Sequence, residues 1–247
     1  MKFLGAIFVI FIVADGIVCV LPPSIPRCRR DHPNMSECIV QAIKAITPGF
    51  VTGDLGGGFR VPSLEPFYIK KLTMGRDNGL KVYLTDVNVY GASNFKIDKL
   101  RINVNDLKFD ILLTLPKFDT YAKYKMNLNF LGSVIASDGQ FHTLHTNSKA
   151  KVTMKANRYL KNGVEYIKFE PFTIKLQRGG FKIVKITNLF GGNKVLGEIV
   201  TTLIENSNEN LSSNIYPQLE LELSNVFTTI SNNIIEHASY DELFPVK

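Results

Sequence analysis

Ala122-Lys123-Tyr124-Lys125-Met126-Asn127-Leu128-Asn129-Phe130 alternates apolar with polar residues from end to end. Successive side chains of a β-strand point to opposite faces, so this period of two marks a strand with one dry and one wet face. Ala150, Val152, Met154 and Ala156 alternate in the same way with Lys151, Thr153 and Lys155. One-sided strands belong to antiparallel sheets, because parallel sheets are covered on both faces. The pattern predicts antiparallel strands from Phe67 to about Leu189.

Within that region the phase slips. Leu80, Val82 and Leu84 are even-numbered, then Val87 and Val89 odd; Phe95 and Ile97 are odd, then Leu100, Ile102 and Val104 even. One extra residue in a strand is a β-bulge, which bends and coils the sheet. A strongly curved sheet is therefore expected, with a loop at each break as the alternative. Leu80 to Tyr90 alone would span roughly 35 Å.

The period changes after Gly191-Gly192. Leu196, Ile199, Val200, Leu203 and Ile204 give a helix over 195–206 an apolar face. A longer run follows: Leu211, Ile215, Leu219, Leu223, Phe227, Ile230 and Ile234 recur every three or four residues. As one helix, Leu211 to Glu236 would measure about 39 Å, enough to cover strands of that length. Pro217 predicts a kink or a helix start just before it. Tyr240 to Pro245 reads as an apolar tail that tucks back. Near the other end, Ile39, Val40, Ile43 and Ile46 predict a short helix from Asn34 to Thr47, stopped by Pro48-Gly49. Glycine-rich 49–66 is connecting chain; its Gly56-Gly57-Gly58 lacks the Gly-Lys-Ser/Thr of a phosphate loop.

Met1-Lys2 precedes an apolar run from Phe3 to Ala14, long enough for a signal-peptide core and short for a membrane span. Residues 1–20 are read as a leader, with cleavage between Gly16 and Leu21, and residues 21–247 as one domain of a secreted protein. A signal anchor with Asp15 at its lumenal edge is the alternative. Loss of the leader removes Cys19 and leaves Cys28 and Cys38, a pair that an oxidising compartment could join; two free thiols are the other reading. Asn34-Met35-Ser36 and Asn210-Leu211-Ser212 are sequons for glycosylation. The net charge of +7 is spread along the strands as solvent-facing lysines, so no nucleic-acid footprint is expected; the tight basic cluster is Arg27, Arg29 and Arg30.

Catalytic and metal chemistry find little support. There are four histidines, and His142 and His145, three apart on a strand, face opposite sides. His-Glu-x-x-His, Gly-x-Ser-x-Gly and Cys-x-x-Cys are absent from the sequence. The pairs Asp106 with Asp110 and Glu220 with Glu222 read as solvated faces. No enzyme, cofactor or metal is expected, and a monomer is.

A sheet bent around one helix leaves a long cylinder to fill, and any shortfall is an elongated apolar cavity suited to a lipid-like ligand. The predicted inward faces nominate Ile39 and Ile43 from the first helix; Val82, Leu84, Leu113, Tyr124, Met126 and Leu128 from strands; and Ile215, Leu219, Leu223 and Phe227 from the long helix. Tyr124 could add a hydroxyl toward a ligand oxygen.

Certain strings resemble the insect takeout and haemolymph juvenile hormone binding protein family: Leu21-Pro22-Pro23-Ser24-Ile25-Pro26-Arg27-Cys28, Asn34-Met35-Ser36-Glu37-Cys38-Ile39, Arg60-Val61-Pro62-Ser63-Leu64-Glu65-Pro66, Leu189-Phe190-Gly191-Gly192, Tyr216-Pro217-Gln218-Leu219 and Tyr240-Asp241-Glu242-Leu243-Phe244-Pro245. The resemblance implies a Cys28–Cys38 bridge and an α+β fold in which a highly curved antiparallel sheet wraps a long C-terminal helix, akin to tubular lipid-binding and bactericidal/permeability-increasing proteins. It also implies a secreted carrier of a juvenile hormone-like terpenoid, fatty acid or other lipid. The chain departs from the pattern in having no Trp, where the resemblance places one near Leu211. The competing reading is a secreted protein without cargo that acts on a receptor or membrane surface, its interior filled by its own side chains.

Overall fold

The computed structural model describes residues 25–75, 80–130, 132–206 and 216–246. Two long neighbouring strands organise the sheet: β4 (Lys108–Phe130) and β5 (Ser133–Lys161). They pair antiparallel from Lys108 opposite Lys155 to Phe130 opposite Ser133. Shorter strands line both outer edges. Along β4 lie β3 (Lys96–Asn103) and then β2 (Leu80–Tyr90), which also carries β1 (Phe67–Gly75). Along β5 lie in turn β8 (Gly180–Ile186), β7 (Thr173–Gln177) and β6 (Val164–Phe169). Every pairing is antiparallel, and the whole is an open, curved eight-stranded sheet with helices on one side, an α+β fold.

Both phase slips read from the sequence are irregularities in pairing. The β2–β4 register shifts between Thr85 and Asn88, with Asp86 at φ 52, and the β3–β4 register shifts between Ile97 and Lys99. A third change of face occurs on both central strands at once. Leu115 and Phe118 both face inward, as do their partners Ser148 and His145, although three residues separate the members of each set. The break falls at Pro116 and at Asn147, the latter at φ 50. The expected match between helix and strand length holds for β2 and not for the central pair. Drawn straight, the 23 residues of β4 would reach roughly 75 Å, so the central strands have to coil.

Among the described residues there are four α-helices: α1 (Met35–Thr52), α2 (Lys194–Asn206), α3 (Tyr216–Ile235) and α4 (Tyr240–Leu243). Pro217 is the second residue of the described part of α3, and the residues before Tyr216, on which the predicted start or kink depends, lie outside the described residues. The 20 residues of α3 make about 30 Å of helix; Leu211 and Ile215 lie outside the described residues. α1 overruns its predicted stop at Pro48 and ends at Gly53 in a left-handed conformation. Proline removes one helical hydrogen bond, and here the extra turn is held from outside. The Phe50 carbonyl accepts from Leu64 N–H, Val51 from the Ser63 hydroxyl and Gly53 from Val61 N–H.

The solvated reading of Glu220 is overturned by the packing of α3. Glu220 is buried, its carboxylate accepting from Leu176 N–H and pairing with Lys175 Nζ, each at 2.8 Å. One turn on, Ser224 donates to the Phe172 carbonyl; the Thr228 hydroxyl accepts from Phe172 N–H; and Asn232 accepts from Phe169 N–H and donates to Phe169 O. A polar stripe at intervals of four residues thus faces the free backbone edge of 169–176.

Cys28 and Cys38 are joined by a disulfide. Arg29 pairs with Asp31, while Arg30 donates to the Phe244 carbonyl, pairs with Asp241 and lies 4.2 Å over the Tyr240 ring. Arg158 covers the same ring at 4.3 Å and donates to its hydroxyl. The C-terminal tail does tuck back: α4 opens with a capping box at Ser239 and buries Tyr240 and Phe244 beside Leu107, Phe109 and Ile167.

Replacing Asn232 with Leu leaves the Phe169 N–H and carbonyl without their helical partners, a loss of about 1–3 kcal/mol per buried group. Urea denaturation should give a variant at least ~2 kcal/mol less stable than wild type, while Glu236→Ala, at an exposed site, should stay within about 0.5 kcal/mol.

Candidate functional site

An apolar cavity of about 570 Å³ lies between α3 and the concave face of the sheet. β1 contributes Phe67, Ile69 and Leu72; β2 contributes Val82 and Leu84 before its bulge and Val87 and Val89 after it; β4 contributes Tyr124 and Met126. The bulge lets one strand keep apolar groups inward through a bend. From α3 come Leu219, Leu223 and Phe227, a stripe beside the polar one, and Phe227 stacks on Phe67 with ring centroids 5.4 Å apart. β7 and β8 close the remaining side with Ile174, Leu176, Phe181 and Ile183.

Seven of the nominated residues meet at this cavity: Val82, Leu84, Tyr124, Met126, Leu219, Leu223 and Phe227. Four lie elsewhere. Ile39 packs against the cluster of Leu107, Phe109, Tyr240 and Phe244; Leu113 against Ala150, Val152 and Phe172; Leu128 against the core shared by β1, β2 and β4; and Ile43 is half-buried on α1, which lies against β3. Ile39 and Ile43 are packing positions because α1 lies against β3 and the C-terminal cluster, whereas Leu113 and Leu128 sit on β4 and pack against residues that themselves line the cavity. Ile215 is outside the described residues. The sequence reading placed strands from Phe67 onward but nominated no lining residue from β1, and it also missed Phe118, Phe141 and His145. The signal that could have found part of the far wall is alternation, which pairs Ile174 with Leu176 and Phe181 with Ile183 on one face.

The Tyr124 hydroxyl is committed to the protein. It donates to the Thr187 carbonyl at 2.7 Å and lies 3.2 Å from Ser137 Oγ. Ser137 in turn donates to Asn188 O and accepts from Phe190 N–H. A phenol has one proton to give, so this one holds the turn at 187–190 rather than remaining available to donate to a ligand oxygen. That turn places Asn188 and Phe190 at positive φ and buries Leu189 and Phe190 in the core shared with Tyr124.

Polar groups are otherwise sparse along the cavity. Thr120 and Thr143 are buried cross-strand neighbours, and Thr143 Oγ1 lies 3.0 Å from His145 Nε2. His145 stacks on Phe118 and meets the edge of Phe181, whereas His142 stacks on Tyr121 and bonds Asp119 at 2.6 Å outside, so the two rings lie on opposite faces. Burial, helped by the nearby Arg178 charge, lowers the His145 pKa from 6.5 to about 4. Among the described residues no three His, Cys, Asp or Glu side chains cluster as metal ligands. Of the two sequons, Asn34 caps α1, accepting from Glu37 N–H and donating to its carboxylate; Asn210 lies outside the described residues.

His145 makes stability acid-sensitive. The unfolded ring binds a proton near pH 6.5 and the folded ring only near 4, so stability is complete above 6.5 and lost as pH falls toward 4. The full loss is about 3 kcal/mol. Denaturant titrations at pH 7 and 4.5 should show a smaller loss for His145→Phe than for wild type, by about 2 kcal/mol.

The sequence matches the family described as haemolymph juvenile hormone binding protein over residues 6–245. It is 24% identical over 237 residues to the circadian clock-controlled protein daywake of Drosophila yakuba, covering 90% of this chain and 88% of that protein. The fold is similar to the crystal structure of Epiphyas postvittana Takeout 1, with a TM-score of 0.72, 18% identity, and 90% of this chain and all of that one covered. With the match spanning nearly its whole length, this chain belongs to the haemolymph juvenile hormone binding protein family.

Proposed function

We propose that this protein is a secreted, non-enzymatic carrier that encloses one small hydrophobic molecule, a terpenoid, fatty acid or other lipid, between α3 and the concave sheet face. The observation that carries the reading is the apolar cavity of about 570 Å³, inside the ~300–1,000 Å³ range of small-molecule sites. Each buried methylene of a ligand would contribute about 0.8 kcal/mol before association costs. The family name, with its haemolymph and juvenile hormone binding, supports both secretion and apolar cargo. The disulfide supports an oxidising compartment. Residues 1–20 would be the leader and 21–247 the working domain. The ligand would touch Val82, Leu84, Met126, Leu219, Leu223 and Phe227, with the Tyr124 ring as wall. A cargo-free protein acting on a receptor or membrane would need a packed interior, which the cavity argues against.

Native mass spectrometry of the secreted protein, followed by organic extraction, tests carriage directly. A stoichiometric apolar compound is expected. An empty protein that also refuses juvenile hormone analogues and fatty acids would favour the cargo-free reading. Leu223→Trp should fill the cavity and lower the affinity for a neutral fluorescent apolar probe by roughly tenfold or more, with thermal stability checked alongside.

A further inference from the structure

The cavity wall is mostly apolar, but three polar side chains stand together on its sheet side: Thr120 on β4, and Thr143 and His145 on β5. Thr120 and Thr143 are directly opposite in the β4–β5 register, so their Cβ atoms stand about 4.5–5.5 Å apart. His145 lies two residues beyond Thr143 and shares its face. From the outer strands Val89 pairs with Thr120 and Ile183 with Thr143, which sets the polar group in an apolar frame.

The three are held in place by packing. The His145 ring stacks on Phe118 at 4.4 Å between centroids and meets the edge of Phe181 at 5.0 Å. Thr143 is 4% exposed and Thr120 9%. Thr143 Oγ1 and His145 Nε2 bond each other at 3.0 Å. The Thr120 hydroxyl has no hydrogen-bond partner among the described residues and is not sealed inside protein, so it opens on the cavity. The second nitrogen of His145 is in the same position.

At neutral pH the imidazole is uncharged, its pKa being about 4, and it has one N–H and one lone-pair nitrogen. If Thr143 donates to Nε2, the pair is left with Nδ1–H as donor and the Thr143 oxygen as acceptor. If Nε2–H donates instead, the pair keeps the Thr143 proton as donor and the Nδ1 lone pair as acceptor. Either tautomer presents one donor and one acceptor to a guest, and the Thr120 hydroxyl does both. A hydrocarbon leaves these groups dry and unpaired, at a cost in affinity. An ether or carbonyl oxygen meets a donor but has no proton for the acceptor. A hydroxyl satisfies both. We propose that this spot receives the hydroxyl of a long-chain or terpenoid alcohol, which accepts from Thr120 and donates to the Thr143–His145 pair while its tail lies against β1, β2 and α3. This rests on the carrier reading and narrows it from apolar molecules in general to alcohols.

The test is displacement of a neutral fluorescent apolar probe, N-phenyl-1-naphthylamine, from the purified protein by 1-dodecanol and by its methyl ether at neutral pH. Transfer into a purely apolar cavity favours the ether, which has one more methyl group and no donor to desolvate. Wild type should instead prefer the alcohol by roughly fivefold or more. Thr120→Val removes a hydroxyl that bonds nothing in the protein, so it should lower the alcohol-to-ether ratio without lowering the melting temperature. Thr120→Val combined with Thr143→Val should bring the ratio to one or below. A wild type that binds both equally or favours the ether overturns the proposal without any variant, as does an unchanged ratio in a folded Thr120→Val. Ether binding with no preference for the alcohol defeats the hydroxyl proposal and leaves the carrier reading standing. Failure to bind probe, alcohol and ether alike defeats both.

Discussion

The contact on which the rest depends is the polar stripe of α3 against the backbone of 169–176. A strand edge with unpaired N–H and C=O groups invites further strands. Here Glu220, Ser224, Thr228 and Asn232 occupy that edge with side chains, so the sheet stops without closing on itself. Because the stripe repeats every four residues, it also sets the rotation of the helix. Leu219, Leu223 and Phe227 are each one residue short of the polar set and are thereby turned toward the interior. One hydrogen-bonded seam therefore ends the sheet and aims the apolar face.

Curvature supplies the second half of the cavity. A flat sheet would lay its side chains directly onto α3. Changes of face at Asp86, near Asp98 and at Pro116 with Asn147 bend the strands while keeping apolar residues on one side. The helix follows a straight axis and the sheet does not, so the two surfaces separate between their contacts. Phe67 stacked on Phe227 marks one such contact.

Much of this was legible in the sequence. Alternation in 122–130 and 150–156 gave one-sided strands, and slips at 84/87 and 97/100 gave two bends, because both signals are local and periodic. What escaped depended on partners distant in sequence. Pro48 looked like a stop until residues 61–64 satisfied the last turn of α1, and Glu220 looked solvated until the β7 backbone met it. Ile39 had the right amphipathic spacing for a lining residue, yet periodicity says only that a face is buried, not which core receives it. The Tyr124 hydroxyl failed as a ligand donor because its acceptor, Thr187, lies 63 residues away.

The clamp around Tyr240 has a consequence for the order in which the molecule is completed. Arg30 finds its partners, Phe244 and Asp241, more than 200 residues later in the chain, and loops of that length close only after the intervening chain exists. Synthesis runs from the N-terminus, so α1 can already lie against β3 while Arg30 waits for these partners until the last few residues are delivered. Closing the pole beneath α1 is then the final event of assembly. A chain truncated before Tyr240 would fail at its beginning as well as its end.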